Sequence, residues 1–279
     1  MYCIVIIIML NVVFANIMPS TDLLETMHKR FDVMRCLRDG ITTKSRIEKE
    51  LGVSRQTVGR ALTELEDHGL ITDARNDCQE ITSVGEIAYE TYTEHQEVFN
   101  TLSKGRRVLN NLPIEIRLDK ELLREVTIIN EGEYVSQKSF AELERLIQPA
   151  DNVIAVTPVF VHHQINLLSQ KVTETPFDLT IVTTNDSLRE ALEMNSSEMT
   201  MLLESENCTV ITTSETLSCP MYICDEETVW LGSFDENGSL CGALVADSDH
   251  AVDCTTDLVT EYIDEGSESM DRESQQIQD

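Results

Sequence analysis

The chain has 279 residues, room for two packed domains, and its 41% hydrophobic content rules out a polypeptide too polar to build a core. Fifty acidic residues against 21 basic ones leave a net charge of −29. Eight cysteines with no C-x-x-C pair, in a chain of this length without a charged signal-peptide start, argue against a secreted disulfide framework.

The acid is unevenly placed. Residues 1–110 hold 13 basic and 16 acidic residues, whereas residues 111–279 hold 8 and 34. The front of the chain is spared most of the negative charge, as a phosphate-binding surface requires. Only 7 of the 21 basic residues are Lys. Abundant Asp and Glu with scarce Lys and few aromatics suit a cytoplasm at molar salt, where the Debye length falls to about 3 Å and self-repulsion is screened. The plainer reading, an acidic protein of an ordinary cell, stays open.

In chain order, residues 2–17 form an apolar run of 16 residues interrupted by Asn11 and Asn16. That is short of the ~20 residues a spanning helix needs, and no Lys or Arg precedes it. We read residues 1–19 as an apolar extension ahead of the first domain, with translation starting at Met18 and residues 1–17 dispensable; a membrane anchor and a soluble N-terminal element are the alternatives. Across residues 22–38, Leu23, Leu24, Met27, Phe31, Met34 and Leu37 recur at helical spacing. Asp22 and Glu25 fit its start and Gly40 its end. A second helix comes next at residues 44–51, begun by Thr42 or Thr43. Gly52-Val53-Ser54 reads as a tight turn, and Ser54 as the N-cap of a third helix that closes near His68 and Gly69. Residues 70–72 and 78–84 then read as a hairpin, and residues 86–112 as a long helix.

Two helices joined by a glycine-containing turn describe a helix-turn-helix, and the hairpin makes it a winged one. Ile47, Leu51, Val53, Val58, Leu62 and Leu65 fall where the helices pack together. Arg55, Gln56, Thr57 and Arg60 are left on the outer face of the third helix, whose N-terminal end, with Ser54, reaches base edges in a major groove. Arg suits a bidentate contact to guanine and Gln one to adenine. Thr43, Lys44 and Arg46 open the second helix, where phosphate contacts are expected, and Arg75 marks the tip of the wing. An ordinary helical hairpin, RNA binding and a protein-docking winged helix are the competing readings.

Beyond Pro113, strands are expected at 125–130, 153–157, 179–184, 209–213, 221–224, 229–234 and 240–245. Helices are expected at 139–147, 160–171, 186–194 and 249–263. Strand-helix alternation argues an α/β layer, and Asp235-Glu236-Asn237-Gly238 a hairpin turn. The Ser-, Glu- and Gln-rich residues 266–279 read as an acidic disordered tail.

Residues 20–90 resemble the winged-helix domain of archaeal transcriptional regulators of the arsenic-repressor-like type. Residues 113–263, through NVIAVTPVFVHHQINLLSQKV and ETVWLGSFDENGSLCGALVADSDHAVD, resemble the C-terminal sensor domain of methanogenesis-regulatory-type proteins, abundant in halophilic archaea. The resemblance implies a cytoplasmic transcriptional regulator, not an enzyme. Its fold would be an α+β winged helix-turn-helix N-terminal domain (20–90) followed by an α/β sensor domain (113–265), with a linker or dimerisation helix (91–112) between them. The partners implied are double-stranded DNA, a second copy and an unidentified small-molecule effector, with no membrane, metal or cofactor.

Other constellations are weaker. Phospholipase-D-type chemistry needs H-x-K, and none of the six histidines has Lys two residues later. His162 and His163 follow a strand end, where α/β sheets bind ligands, although a plain helix start is the simpler account. Cys219 and Cys224 are the only close cysteine pair and the candidates for a thiol- or metal-responsive switch; burial in apolar strands is the alternative.

Overall fold

The computed structural model describes residues 20–74, 78–116, 118–132 and 138–276. The expectations for residues 1–19 and for Arg75 lie outside them. The chain divides into two compact units, Met1–Glu97 and Val98–Asp279.

The smaller unit is built from helices α1 (Ser20–Arg38), α2 (Lys44–Leu51) and α3 (Arg55–Asp67), strands β1 (Ile71–Asp73) and β2 (Gln79–Ile81), and the first part of α4 (Ser83–Leu109). The apolar stripes meet in one core, in which Met34, Ile47, Val58, Leu65 and Leu70 are completely buried. Each such side chain contributes about 1.5–3 kcal/mol. Val53, expected between the helices, is 36% exposed instead, because the turn carries it outward.

Strands β1 and β2 pair antiparallel, with Thr72 opposite Glu80. Helix α4 begins three residues earlier than the sequence suggests. Thr82 accepts the Gly85 N–H at 3.0 Å and donates to the Gly69 carbonyl at 2.7 Å, so it caps the helix. A Cβ on Gly85 would collide with the Leu70 carbonyl. Phe31 stacks on Tyr89 at 5.1 Å and packs against Tyr92 at 5.0 Å, and the Tyr92 hydroxyl meets His28 Nδ1 at 2.7 Å.

The larger unit holds a seven-stranded sheet in the order β3-β9-β8-β7-β4-β5-β6. Its strands are β3 (Thr127–Asn130), β4 (Asn152–Val156), β5 (Asp178–Thr184), β6 (Cys208–Thr213), β7 (Met221–Cys224), β8 (Thr228–Phe234) and β9 (Leu240–Ala246). β4, β5 and β6 run parallel; β7, β8, β9 and β3 join antiparallel. The sheet is therefore mixed, a parallel part of the α/β kind joined to an antiparallel part that includes the hairpin expected at residues 235–238. The cause is the short links at Asp225–Glu227 and Asp235–Gly238, which can join only antiparallel neighbours. Asp225 and Glu226 both hold positive φ, 53° and 58°, and Asp225 Oδ1 anchors their turn by accepting the N–H groups of Asp151 and Asn152.

One sheet face is covered by α6 (Lys138–Ile147), α7 (His162–Glu174), α8 (Asn185–Met194) and α9 (Ser196–Glu204), around Trp230, Tyr222 and Phe177. The other is covered by the end of α4, α5 (Lys120–Glu125) and α10 (Asp249–Gln276), around Val156, Leu231 and Leu244. Helices α5 and α9 were not legible in the sequence. Six residues are too few to show a period, and α9 follows α8 directly, with Asn195 closing the one and opening the other, so no loop separates them.

The units divide inside α4, not at Pro113. After Val98 that helix belongs to the sheet core, where Ser233 donates to the Val108 carbonyl at 2.8 Å and Gly105 lies against Ile128. On the segment expected to be a linker or dimerisation helix, Tyr92 and Leu109 are each buried in their own chain, whereas Phe99 and Leu102 are exposed. Helix α10 runs to Gln276, through residues whose composition reads as disordered. An established helix propagates through ordinary polar residues at far less cost than it nucleates. No helix among the described residues is long and apolar enough to cross a membrane.

Gly242 has φ 151°, and a Cβ there would strike the Ile129 carbonyl across the β3–β9 pairing. We predict that Gly242→Ala destabilises the protein by at least the ~1–3 kcal/mol of a strained backbone position. Gly238→Ala, in open space at the hairpin, should cost less. Denaturant unfolding of both variants at matched salt checks the order.

Candidate nucleic-acid interface

The turn between α2 and α3 is made by Gly52 in the left-handed conformation, φ 65°. Ser54 then takes extended backbone angles, and its hydroxyl accepts the Thr57 N–H at 3.2 Å while meeting Thr57 Oγ1 at 2.9 Å. Ile47, Val58, Ala61, Leu62 and Leu65 turn inward. Ser54, Arg55, Gln56, Thr57 and Arg60 are all left exposed on one end of α3.

On α2, Arg46 is exposed, whereas Thr43 and Lys44 are half-buried. Lys44 lies across α3 at Gly59, where a Cβ would collide with its ammonium group. The missing side chain at Gly59 thus sets the Lys44 charge against the helix that carries Arg55 and Arg60. The Thr43 side chain makes no cap bond. Its backbone bridges Cys78, and the Gln79 N–H donates to the Thr42 carbonyl at 2.9 Å. The segment before α2 is thereby tied to the hairpin, a link the sequence showed only as two adjacent β-branched residues.

The charge arrangement separates two classes of basic residue. On α1 each has a carboxylate. Arg30 bonds Glu64 through two nitrogens at 2.7 and 2.9 Å, Arg35 meets Asp32 at 2.8 Å, Lys29 meets Glu25, and Arg38 meets Glu86 and Glu90. The Arg30 guanidinium holds the Glu64 carboxyl below its usual range. Lys44, Arg46, Arg55 and Arg60 make no ion pair among the described residues.

Helix starts show the same selection. Helices α1, α4, α5, α8, α9 and α10 each place an acid in the first turn, as the macrodipole favours. Helix α6 receives one from outside, since Glu131 accepts the Ser139 N–H at 2.6 Å. Helices α2, α3 and α7 have no acid in their first turns; α7 opens with His162 and His163, whereas α2 and α3 open with Lys44, Arg46 and Arg55. Cations at the positive ends of two adjacent helices weaken both, and the arrangement becomes favourable when an anion is brought to them.

The larger unit disposes of the other sequence candidates. Both ring nitrogens of His162 are engaged, Nδ1 with Asn195 and Nε2 with Asn166 at 3.2 Å, and His163 faces Glu144 at 3.5 Å. The crevice beyond the carboxyl ends of the parallel strands is lined by residues such as Thr184, Ser187 and Thr213, and His162 is not among them. Cys219 and Cys224 do not form a switch pair. They belong to cores on opposite faces of the sheet, and burial pushes each thiol up to about 12.

Ser54→Ala removes the α3 cap and should cost about 1 kcal/mol in denaturant unfolding, while Ser54→Asp, another good cap, should recover most of it.

Comparison with known proteins gives two family matches. Residues 19–104 match the family described as HVO_A0261 N-terminal domain. Residues 137–265 match the middle domain of methanogenesis regulatory protein FilR1. No curated protein matches the chain. Among solved structures, the archaeal chromatin protein TrmBL2 is similar at 14% identity, covering 86% of this chain and 96% of its own, with a TM-score of 0.40. NucT from Helicobacter pylori is similar at 15% identity over 50% of this chain and 94% of its own, with a TM-score of 0.39. The phospholipase D family member Nuc from Salmonella typhimurium is similar at 12% identity over 50% and 92%, with a TM-score of 0.36.

Proposed function

We propose that this protein is a transcriptional regulator of archaeal type that binds double-stranded DNA through α2, the Gly52 turn and α3. The observation that carries the reading is the unneutralised set Lys44, Arg46, Arg55 and Arg60 at the starts of those two helices, in a chain of net charge −29. Phosphate would supply the counter-charge that these four side chains lack, and they lie together at the starts of two adjacent helices. The match of residues 137–265 to the middle domain of a regulatory protein supports the same reading.

Arg55 and Gln56, with Ser54, Thr57 and Arg60 around them, read bases from the first turns of α3. Thr43, Lys44 and Arg46 hold phosphate, and Arg75 extends the contact at the wing. The larger unit serves as the effector-sensing or dimerisation domain, and the regulator acts as a cytoplasmic homodimer at high internal salt. Tyr92 and Leu109 are buried, whereas Val84, Ile87, Phe99 and Leu102 of α4 are exposed. Light scattering at molar salt tests that assembly, and a monomeric mass refutes it.

Arg55→Ala or Gln56→Ala should each cost about 1–3 kcal/mol on the specific site and relax base preference there. Lys44→Ala should weaken all sequences alike. A binding selection from random duplexes, repeated with each variant, measures both effects; unchanged preference in the α3 variants would overturn the assignment.

Specific binding should also persist at about 1–2 M potassium chloride, where self-repulsion and repulsion from DNA are screened and base-edge contacts carry more of the affinity. A titration of operator affinity from about 0.1 to 2 M salt, with folding followed by circular dichroism, tests this. A folded protein that releases its DNA with the steep slope of an ordinary phosphate-driven binder would count against the high-salt reading.

A further inference from the structure

Helix α10 starts beside α5, and the two bring together three groups with no part in DNA contact. His250 and Cys254 are one turn apart on the same face of α10, with Cys254 Sγ 3.9 Å from His250 Nδ1. On its other side, His250 Nε2 is 3.0 Å from Asp119 Oδ2. Asp119 is fixed in turn, because Oδ1 caps α5 by accepting the Leu122 N–H at 2.9 Å. A nucleophile, a base within reach of it and a third group orienting the base are the parts of an activated thiol.

The same turn of α10 borders a cavity of about 410 Å³ between that helix and the sheet. Its lining is mixed: Ile116, Leu122, Val229, Leu231, Leu244 and Leu258 are apolar, Thr255 is polar, and Cys254 lines it. Glu115, Asp257 and Glu261 also line it and would repel an anionic guest. Cys254 is exposed, which the remaining thiols of this unit are not. Burial pushes Cys208 up to about 11 and Cys219 and Cys224 up to about 12.

We propose that Cys254, His250 and Asp119 form a nucleophilic thiol site that captures small uncharged electrophiles, namely α,β-unsaturated carbonyl compounds including quinones, as covalent adducts. Asp119 accepts the Nε2–H of neutral His250, which leaves the Nδ1 lone pair toward the thiol. Nδ1 takes the S–H proton and sulfur attacks the β-carbon, forming the C–S bond. The C=C electron pair moves onto the carbonyl oxygen as an enolate. The proton then passes from Nδ1 to the α-carbon. The net change is addition of S–H across C=C, with no leaving group and no oxidant; a quinone becomes a hydroquinone thioether. A cavity of this size and polarity accepts one or two fused rings. This chemistry stands apart from the reading of the DNA-binding face and can fail or hold without it.

The charged groups around His250 are Asp119, Glu121 and Glu125 from α5, Asp249, Asp253 and Asp257 on α10, and Glu115 and Glu261 at the cavity. They favour the imidazolium. The hydrogen bond to Asp119 is the main cause that pushes His250 above its ordinary value. Asp119 thus fixes the imidazole whose Nδ1 faces Cys254 Sγ.

The test uses the full chain at molar potassium chloride, with methyl vinyl ketone and 1,4-naphthoquinone as probes and iodoacetamide as a small control. Intact mass and peptide mapping track the adducts. Cys254 should be the first site modified, about tenfold or more faster at pH 7 than the same cysteine in the unfolded chain, a modest share of what general bases achieve. His250→Gln should remove that advantage and give a rate that climbs with pH into the ordinary thiol range near 8.5. Asp119→Asn should act in the same direction while keeping the helix cap, since Asn is a good N-cap. Leu231→Trp should slow naphthoquinone but leave iodoacetamide unchanged, with circular dichroism confirming the fold.

Equal rates in folded and unfolded chains, or an unchanged pH profile in His250→Gln, would overturn the site. Equal slowing of both reagents by Leu231→Trp would overturn the role of the cavity. Oxidation of Cys254 by peroxide without adducts from either carbonyl probe would overturn the ligand class.

Discussion

Burial of the central sheet on both faces governs the larger unit. Trp230, Tyr222 and Ala243 face one core and Val229, Leu231 and Leu244 the other, so β8 and β9 have almost no exposed positions. A sheet of this kind must be covered twice. Four helices cover one side. The other receives α5, α10 and the end of α4, which is why a helix that begins against the winged-helix core ends inside the sheet core. Covering that second face with two short contacts and one long helix leaves the cavity beneath α10 and brings His250 to Asp119. The thiol site is in this sense a by-product of how the second face is closed.

Charge imposes a second constraint, independent of packing. In a chain this acidic a carboxylate is the readiest counter-charge for a lysine or arginine, although Lys49, Lys104, Arg106, Arg107, Lys120 and Lys138 also make no ion pair among the described residues. The bases of α1 obey that expectation and are neutralised, with Arg30 and Glu64 joining α1 to α3. The bases that open α2 and α3 do not. Their helices forgo the acidic first turn that most other helices of the chain possess. Local preference is overridden at these two adjacent helix starts, and such departures concentrate where a surface is kept for a partner.

Much of this was legible in the sequence, because it is set by local periodicity and short-range chemistry. The 3.6-residue spacing of Met27, Met34, Ile47, Val58 and Leu65 marks three helices, Gly52 can adopt the left-handed turn, and Ser54 can cap the third helix; none of these needs a distant partner. The exposure of Arg55, Gln56 and Arg60 comes from the same spacing, since the apolar stripe leaves them the opposite face. β7 was placed to the residue and β8 and β9 to within one, because β-branched and apolar runs between turn residues leave few alternatives.

Tertiary structure alone decided what depends on residues far apart in the chain. Sequence showed Cys219 and Cys224 as neighbours, but the pleat and the sheet assign them to opposite cores. It showed residues 86–112 as one helix, but two different cores claim its Tyr92 and Leu109. The strand order, the mixed direction of the sheet and the Thr43–Cys78 bridge are long-range pairings with no local signature. Asp119 and His250 are 131 residues apart, and neither carries a motif. Their meeting is fixed only when α5 and α10 close over the same sheet face, since side-chain chemistry is written locally but proximity is a property of the packed chain.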